Sequence, residues 1–357
     1  MDNIYHVLPG EPGGESTWFK RQNPFEQEEI RRQVAFKRGQ WQALGNGKFA
    51  KLPQHIYPHI LPDGCEKFAF YPAIAASILN YLQKEDIALH TEALNLKSSQ
   101  VACFNFLFPL RQDPALAAEI FRPFLPELDR VTDLKFEYTG PAEATAWLGE
   151  PPTGKRGQNR TSIDAAVFWT SRQGKSHATL IEWKYTEHNF GVCSAYAGGS
   201  KAACKALNPA HDPHPEKSCK LCGGTRHCSR HYWEHMAGAG ICLSRFEGVQ
   251  GCPFQGPFYQ LMRQYLLAAC PKLTKCFDEV DVVSIGFSKN KALASIPRQL
   301  MPLARDPSAT IVDVWNSILT GVPPLRHILV EDLMKAVDQA KVVDPEWRDY
   351  LRSRYGV

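Results

Sequence analysis

The sequence predicts a soluble protein of mixed α/β (α+β) class, and three observations carry that reading. Two apolar runs, Ile163 to Trp169 and Ala178 to Trp183, flank the polar turn Ser171-Arg172-Gln173-Gly174-Lys175-Ser176 and read as a strand, a turn and a second strand. A third run, Thr132 to Tyr138, alternates cleanly, with Leu134, Phe136 and Tyr138 on one face and Lys135 and Glu137 on the other. Around these runs lie stretches of helical periodicity with recognisable start signals.

In order along the chain, residues 1–20 carry Pro9, Gly10, Pro12, Gly13 and Gly14 and read as an extended arm. Asn23-Pro24 starts a helix to about Lys37, with Asn as cap and Pro at the first helical position. Pro72 opens another, with Ile74, Ile78, Tyr81 and Leu82 on one face, and a short helix follows near Glu92. Ser98 caps a strongly apolar helix over Val101–Leu110, and Asp113-Pro114 starts the next, ended by Pro123 and Pro126. Gly256-Pro257 begins a helix with Phe258, Leu261, Met262 and Tyr265 on its buried stripe. Val280 to Phe287 is the closing strand. The remainder reads as helical, with one helix capped by Ser308 and ended by Gly321, and a last one from Asp344-Pro345.

Composition narrows the class. Apolar residues make up 44% and charged residues 22%, the balance of a globular protein rather than a disordered one. No run approaches the roughly 18 apolar residues of a membrane span, and no basic start followed by an apolar stretch suggests a signal peptide. The expected compartment is the cytoplasm, where thiols stay reduced. Eleven Cys, an odd number, then favour buried thiols and metal ligands over a disulfide framework. A net charge of +4 is compatible with a polyanion partner but does not demand one.

The chemistry concentrates on the strand pair. Glu182 and Lys184 are two apart and share a strand face, and a hairpin brings Asp164 beside them. Buried charges are costly unless paired or metal-bound. Asp164 and Glu182, with the Trp183 carbonyl and water, suit Mg²⁺ or Mn²⁺. Lys184 can orient or deprotonate an attacking water. Glu137 is a further acidic candidate. Lys155, Arg156 and Arg160, in a Gly-containing loop entering Asp164's strand, suit phosphate contacts.

The arrangement Asp164…Glu182-Trp183-Lys184 resembles the PD-(D/E)XK nuclease superfamily. The wider string Arg160-Thr161-Ser162-Ile163-Asp164…Ile181-Glu182-Trp183-Lys184-Tyr185-Thr186-Glu187, with Ser98-Ser99-Gln100-Val101-Ala102-Cys103-Phe104-Asn105 upstream, is similar to a bacterial family of restriction endonucleases. Ile163 stands where the motif's Pro would be. The resemblance covers about residues 60 to 290. It implies a restriction-endonuclease-like core of helix, three antiparallel strands, helix and strand, and Mg²⁺-dependent cleavage of DNA. It also implies a polar residue lent by the preceding helix, for which Glu92, Gln100 and Asn105 are candidates, and Gln260 or Arg263 near the scissile phosphate. The expected organisation is an N-terminal arm and helix (1–60), a nuclease-like core (61–290) and a helical C-terminal extension (291–357). A DNA-repair exonuclease and a non-catalytic DNA-binding module are the alternatives. A homodimer is left open.

Residues 190–256, an insertion in that core, are rich in Gly, Pro, His and Cys and carry little periodicity, so they need a stabiliser. Cys219-x2-Cys222-x5-Cys228-x2-His231 has the spacing of a structural Zn²⁺ site. Cys193, Cys204, Cys242 and Cys252, with His211, His214, His227 and His235, are further ligand candidates. An iron–sulfur cluster, as in some RecB-type nuclease domains, is the rival.

Overall fold

Alternation along the two apolar runs decides the architecture, because each strand sends successive side chains into two different cores. The computed structural model describes residues 4–8, 16–151, 160–223 and 230–357. Its longer elements, in chain order, are β1 (Ile4–Tyr5), α1 (Pro24–Gln40), β2 (Gly47–Phe49), β3 (Leu52–Tyr57), α2 (Pro72–Lys84), α3 (Ser99–Gln112), α4 (Pro114–Phe121), β4 (Leu128–Tyr138), β5 (Ile163–Ser171), β6 (Ser176–Trp183), α5 (Phe258–Ala268), β7 (Glu279–Gly286), α6 (Ile311–Ser317), β8 (Arg326–Leu329), α7 (Val330–Gln339) and α8 (Pro345–Tyr355).

The central sheet has the order β4-β5-β6-β7-β8. β4, β5 and β6 are antiparallel, whereas β7 joins β6 and β8 joins β7 in parallel. Ala165, Val167, Trp169, Ile181 and Trp183 enter one core with side chains of α2, α3, α7 and α8. Ala166, Phe168, Ala178 and Leu180 enter the other, with α5, α6 and the segment following β6. No helix among the described residues is long and apolar enough to cross a membrane.

The helix starts behave as their cap residues dictate. Asn23 accepts from Glu26 N at 2.8 Å, Ser98 from Val101 N at 3.4 Å, and Asp113 from Leu116 N at 2.9 Å. Several readings are corrected. The N-terminal arm is not wholly unpacked, since β1 pairs in parallel with β3 and the His6 ring stacks on Tyr57. The helix expected near Glu92 is a run of turns closed by Ala93 N→His90 O and Asn95 N→Glu92 O. Ser308 bonds Asp306, and Thr310 with Asp313 forms the capping box of α6. The C-terminal stretch is not purely helical: it supplies β8, so β7 does not close the sheet. Residues 190–256 contain short helices at Ser194–Ala197, Lys201–Ala206, Pro215–Ser218 and Tyr232–His235.

The alternation predicted for β4 breaks at its end. Glu137 has φ +47°, a left-handed conformation costly for a residue with a Cβ. Leu134 and Phe136 stay in the first core, but Tyr138 packs edge-on against Phe168 in the second.

Asn105, a candidate for the site, is fully buried elsewhere. It accepts from Tyr71 N at 2.7 Å and donates to Ala69 O and to the Tyr355 hydroxyl of α8. Asn105→Ala strips the Tyr71 N–H and the Tyr355 hydroxyl of this partner, while Ala69 O keeps Arg354, and is expected to lower stability by roughly 2–3 kcal/mol. Urea denaturation checks this, and a loss under about 0.5 kcal/mol would show that water replaces the amide.

Candidate active site

β5 and β6 stop pairing just where the acidic residues begin. Their last ladder partners are Ala165 and Ile181. Beyond them the Asp164 carboxylate accepts from Trp183 N at 2.7 Å, taking the place of a ladder bond. Asp164 lies in the strand row of Ala166 and Phe168, and Glu182 in the row of Ala178 and Leu180, so the two share a sheet face.

Lys184 and two glutamines close around Glu182, which is only 1% exposed. Lys184 Nζ is 2.6 Å from Glu182 Oε1. Gln260 Nε2 donates to the same oxygen at 2.5 Å and Gln264 Nε2 donates to Oε2. Lys184 also donates to Gln260 Oε1 at 2.9 Å. Gln260 and Gln264 are one helical turn apart on α5, so both reach the same carboxylate. The exit of β6 is held by Tyr185, whose hydroxyl donates to Glu29 Oε2 at 2.5 Å and accepts from Gln33 Nε2 at 2.8 Å.

Glu137 joins from β4. Gln100 Nε2 donates to it at 2.7 Å and Ser162 Oγ at 2.5 Å. Its flanking residues Phe136 and Tyr138 pair with Ala165 and Ile163, which bracket Asp164. The electrostatics follow. Burial raises the Asp164 carboxyl well above its ordinary range, and the charges of Glu182 and Glu137 push it further. Burial also raises Glu182, against the opposing pull of Lys184. Burial alone would discharge Lys184, but Glu182, Glu187 and Asp164 outweigh it and keep the amine an ammonium. Glu182, Glu187 and Asp164 thus act on one ammonium, an excess of negative charge carried by oxygen donors. That donor set fits a hard divalent cation.

Other expected residues lie elsewhere. Arg160 donates to Thr139 Oγ1 at 3.0 Å. Arg263 is 6% exposed; it donates to Thr161 Oγ1, lies 3.5 Å from Glu150 Oε1 and stacks over Tyr259, which makes it a core cation and not an exposed phosphate contact. Lys155, Arg156 and Cys228 lie outside the described residues. Cys219 and Cys222 adjoin one another, and among the described residues His231 is not grouped with them. It groups with Glu234 and His235, and both imidazoles face the Trp147 carbonyl.

The chain matches, over residues 35–356, the family described as "Restriction Endonuclease associating with ARP". It belongs to that family. No curated protein and no solved structure matches it. Membership makes this a restriction-endonuclease-like protein, and the two glutamines of α5 are the part of its site that motif reading valued least. Gln264 lies off the apolar stripe of α5 like Gln260, and the spacing of four between them is the sequence signal that pairs them.

Ionising Asp164 and Glu182 in the fold costs more than in the unfolded chain. The unfolded state therefore loses protons first, and stability falls as pH rises from about 4 through the raised folded values. Asp164→Asn keeps the acceptor for Trp183 N but removes one charge. In metal-free buffer it is expected to raise the midpoint at pH 7, by roughly 2–4 °C per kcal/mol relieved, and to flatten the decline above pH 4. Scanning calorimetry across pH 4–8 checks this; an unchanged slope would contradict the repulsion.

Proposed function

We propose that the protein is a metal-dependent endonuclease that hydrolyses DNA phosphodiester bonds with a PD-(D/E)XK type site. The observation that carries this is the convergence of Asp164, Glu182 and Lys184, with Glu137, at the place where β5 and β6 part. Two further features support it. The order of helix, three antiparallel strands, helix and a parallel strand follows the core that the sequence resemblance implies, and family membership implies DNA as the substrate.

Asp164 and Glu182 would hold Mg²⁺ or Mn²⁺, with Glu137 beside them. When bound, such an ion supplies Lewis-acid stabilisation of phosphate charge and a more acidic water. The chain's own groups do the rest. Lys184, kept as an ammonium, donates to the attacking water or the phosphate oxygen rather than acting as a base. Gln260 and Gln264 fix the Glu182 carboxylate. The clamp on Tyr185 fixes the strand end from which Lys184 projects.

Incubation with supercoiled circular and with linear DNA, in Mg²⁺, Mn²⁺ or EDTA, tests the reading. Nicking of circles with either ion and none in EDTA is expected. Asp164→Ala and Lys184→Ala should each lower the rate by roughly 10³-fold while the circular-dichroism spectrum is retained. Cleavage only from ends would mean an exonuclease, and DNA binding without cleavage a non-catalytic module. Full activity in either variant would sink the assigned site.

A further inference from the structure

The short helix Tyr232–His235 and the residue before it carry two kinds of side chain. Tyr232 and Trp233 are buried and fix the turn against the fold. Tyr232 donates to Glu150 Oε1 at 2.7 Å, and Glu150 also accepts from the Thr161 N–H and hydroxyl just ahead of β5. His231, Glu234 and His235 are the other kind. They stand at spacings of three and four, so a single helical turn brings them together. One ligand atom from each lies within 4.8 Å of those of the other two. Glu234 is exposed and both imidazoles are half-buried, so the group is open to solvent.

We infer that His231, Glu234 and His235 bind a Zn²⁺ ion. Three observations carry the assignment. The first is the donor set. Two imidazoles and one carboxylate are nitrogen and oxygen ligands of that ion, and three protein ligands leave a further position for water. Asp164 and Glu182 offer oxygen alone, which suits a harder cation, so the two sites differ in kind. The second is reach. Ligand atoms at about 2.0–2.1 Å from a tetrahedral Zn²⁺ lie about 3.4 Å apart. All three pairs meet the 4.8 Å bound, and Glu234, on an exposed side chain, is free to close the remainder. The third is orientation. Trp147 O lies 3.3 Å from His231 Nδ1 and 2.8 Å from His235 Nε2. The His235 ring stacks on Trp147 with centroids 3.8 Å apart, and His231 N donates to Leu148 O at 3.0 Å. Metal-ligating imidazoles are commonly oriented by a backbone carbonyl in this way. Stacking on Trp147 accounts for His235 alone; it does not account for a second imidazole and a carboxylate beside it. A helix of four residues has little stability of its own. An ion held by residues three and four apart fastens that turn, and with it the contact of Tyr232 and Glu150 at the entry to β5.

The inference does not depend on the hydrolase reading, and its test is binding rather than cleavage. Full-length protein stripped with EDTA and dialysed is titrated with ZnCl₂ by calorimetry and with CoCl₂ by absorbance. One equivalent of Zn²⁺ is expected that persists in Asp164→Asn and in Cys219→Ser, which separates it from the carboxylate site and from the thiols. Co²⁺ at that site should show visible bands without thiolate charge transfer. His231→Ala, His235→Ala and Glu234→Gln should each weaken this equivalent by roughly tenfold or more. Glu234→Gln alters an exposed side chain, so it decides the matter should the histidine variants fail to fold. Zinc uptake that disappears with Cys219→Ser or Asp164→Asn, or no saturable uptake at all, overturns the inference. Unchanged affinity in any folded variant of the three overturns the ligand set.

Discussion

The structure turns on the burial of carboxylates at one end of the central sheet. Burial raises the Asp164 and Glu182 carboxyls, neighbouring carboxylates push them further the same way, and one ammonium, Lys184, opposes the shift. Everything nearby serves to keep that arrangement in place. The Trp183 amide holds Asp164, two glutamines hold Glu182, and Gln100 with Ser162 holds Glu137. Glu137 adopts a left-handed backbone that no strand residue would choose for stability alone. Strain and repulsion in one place are how a fold maintains a site that binds charge.

The two cores explain how such a site survives. Each face of β5 and β6 packs against its own layer of helices, so the strand ends are fixed from both sides. The clamp on Tyr185 by Glu29 and Gln33 adds a third anchor from α1. A carboxylate that wished to swing away would have to drag a buried strand with it.

Much of this was legible in the chain. The hairpin, the shared face of Glu182 and Lys184, and the caps at Asn23, Ser98 and Asp113 all follow from period and local chemistry, which sequence encodes directly. What was not legible depends on distant partners. Asn105 looks like a site residue until Tyr71 and Tyr355 are seen around it. Arg263 looks like a phosphate contact until Glu150, more than a hundred residues earlier, is found beside it. β8 is four residues of ordinary composition, and only an open sheet edge makes it a strand. The Cys219-x2-Cys222 pair marks a sulfur-lined cavity, but that Cys193, Cys204 and Cys252 reach the same wall depends on the fold of the insertion and not on spacing.

The insertion has one further consequence. Lys184 and Gln260 stand 76 positions apart, and their hydrogen bond closes a loop that contains the whole thiol-lined segment. Closing so long a loop carries a conformational-entropy penalty that nearby contacts cannot offset until the segment has collapsed. The glutamine side of the site must therefore assemble late in folding, after the strands. Collapse of the sulfur-lined segment and arrival of the last side chains around Glu182 become successive stages of one ordering event.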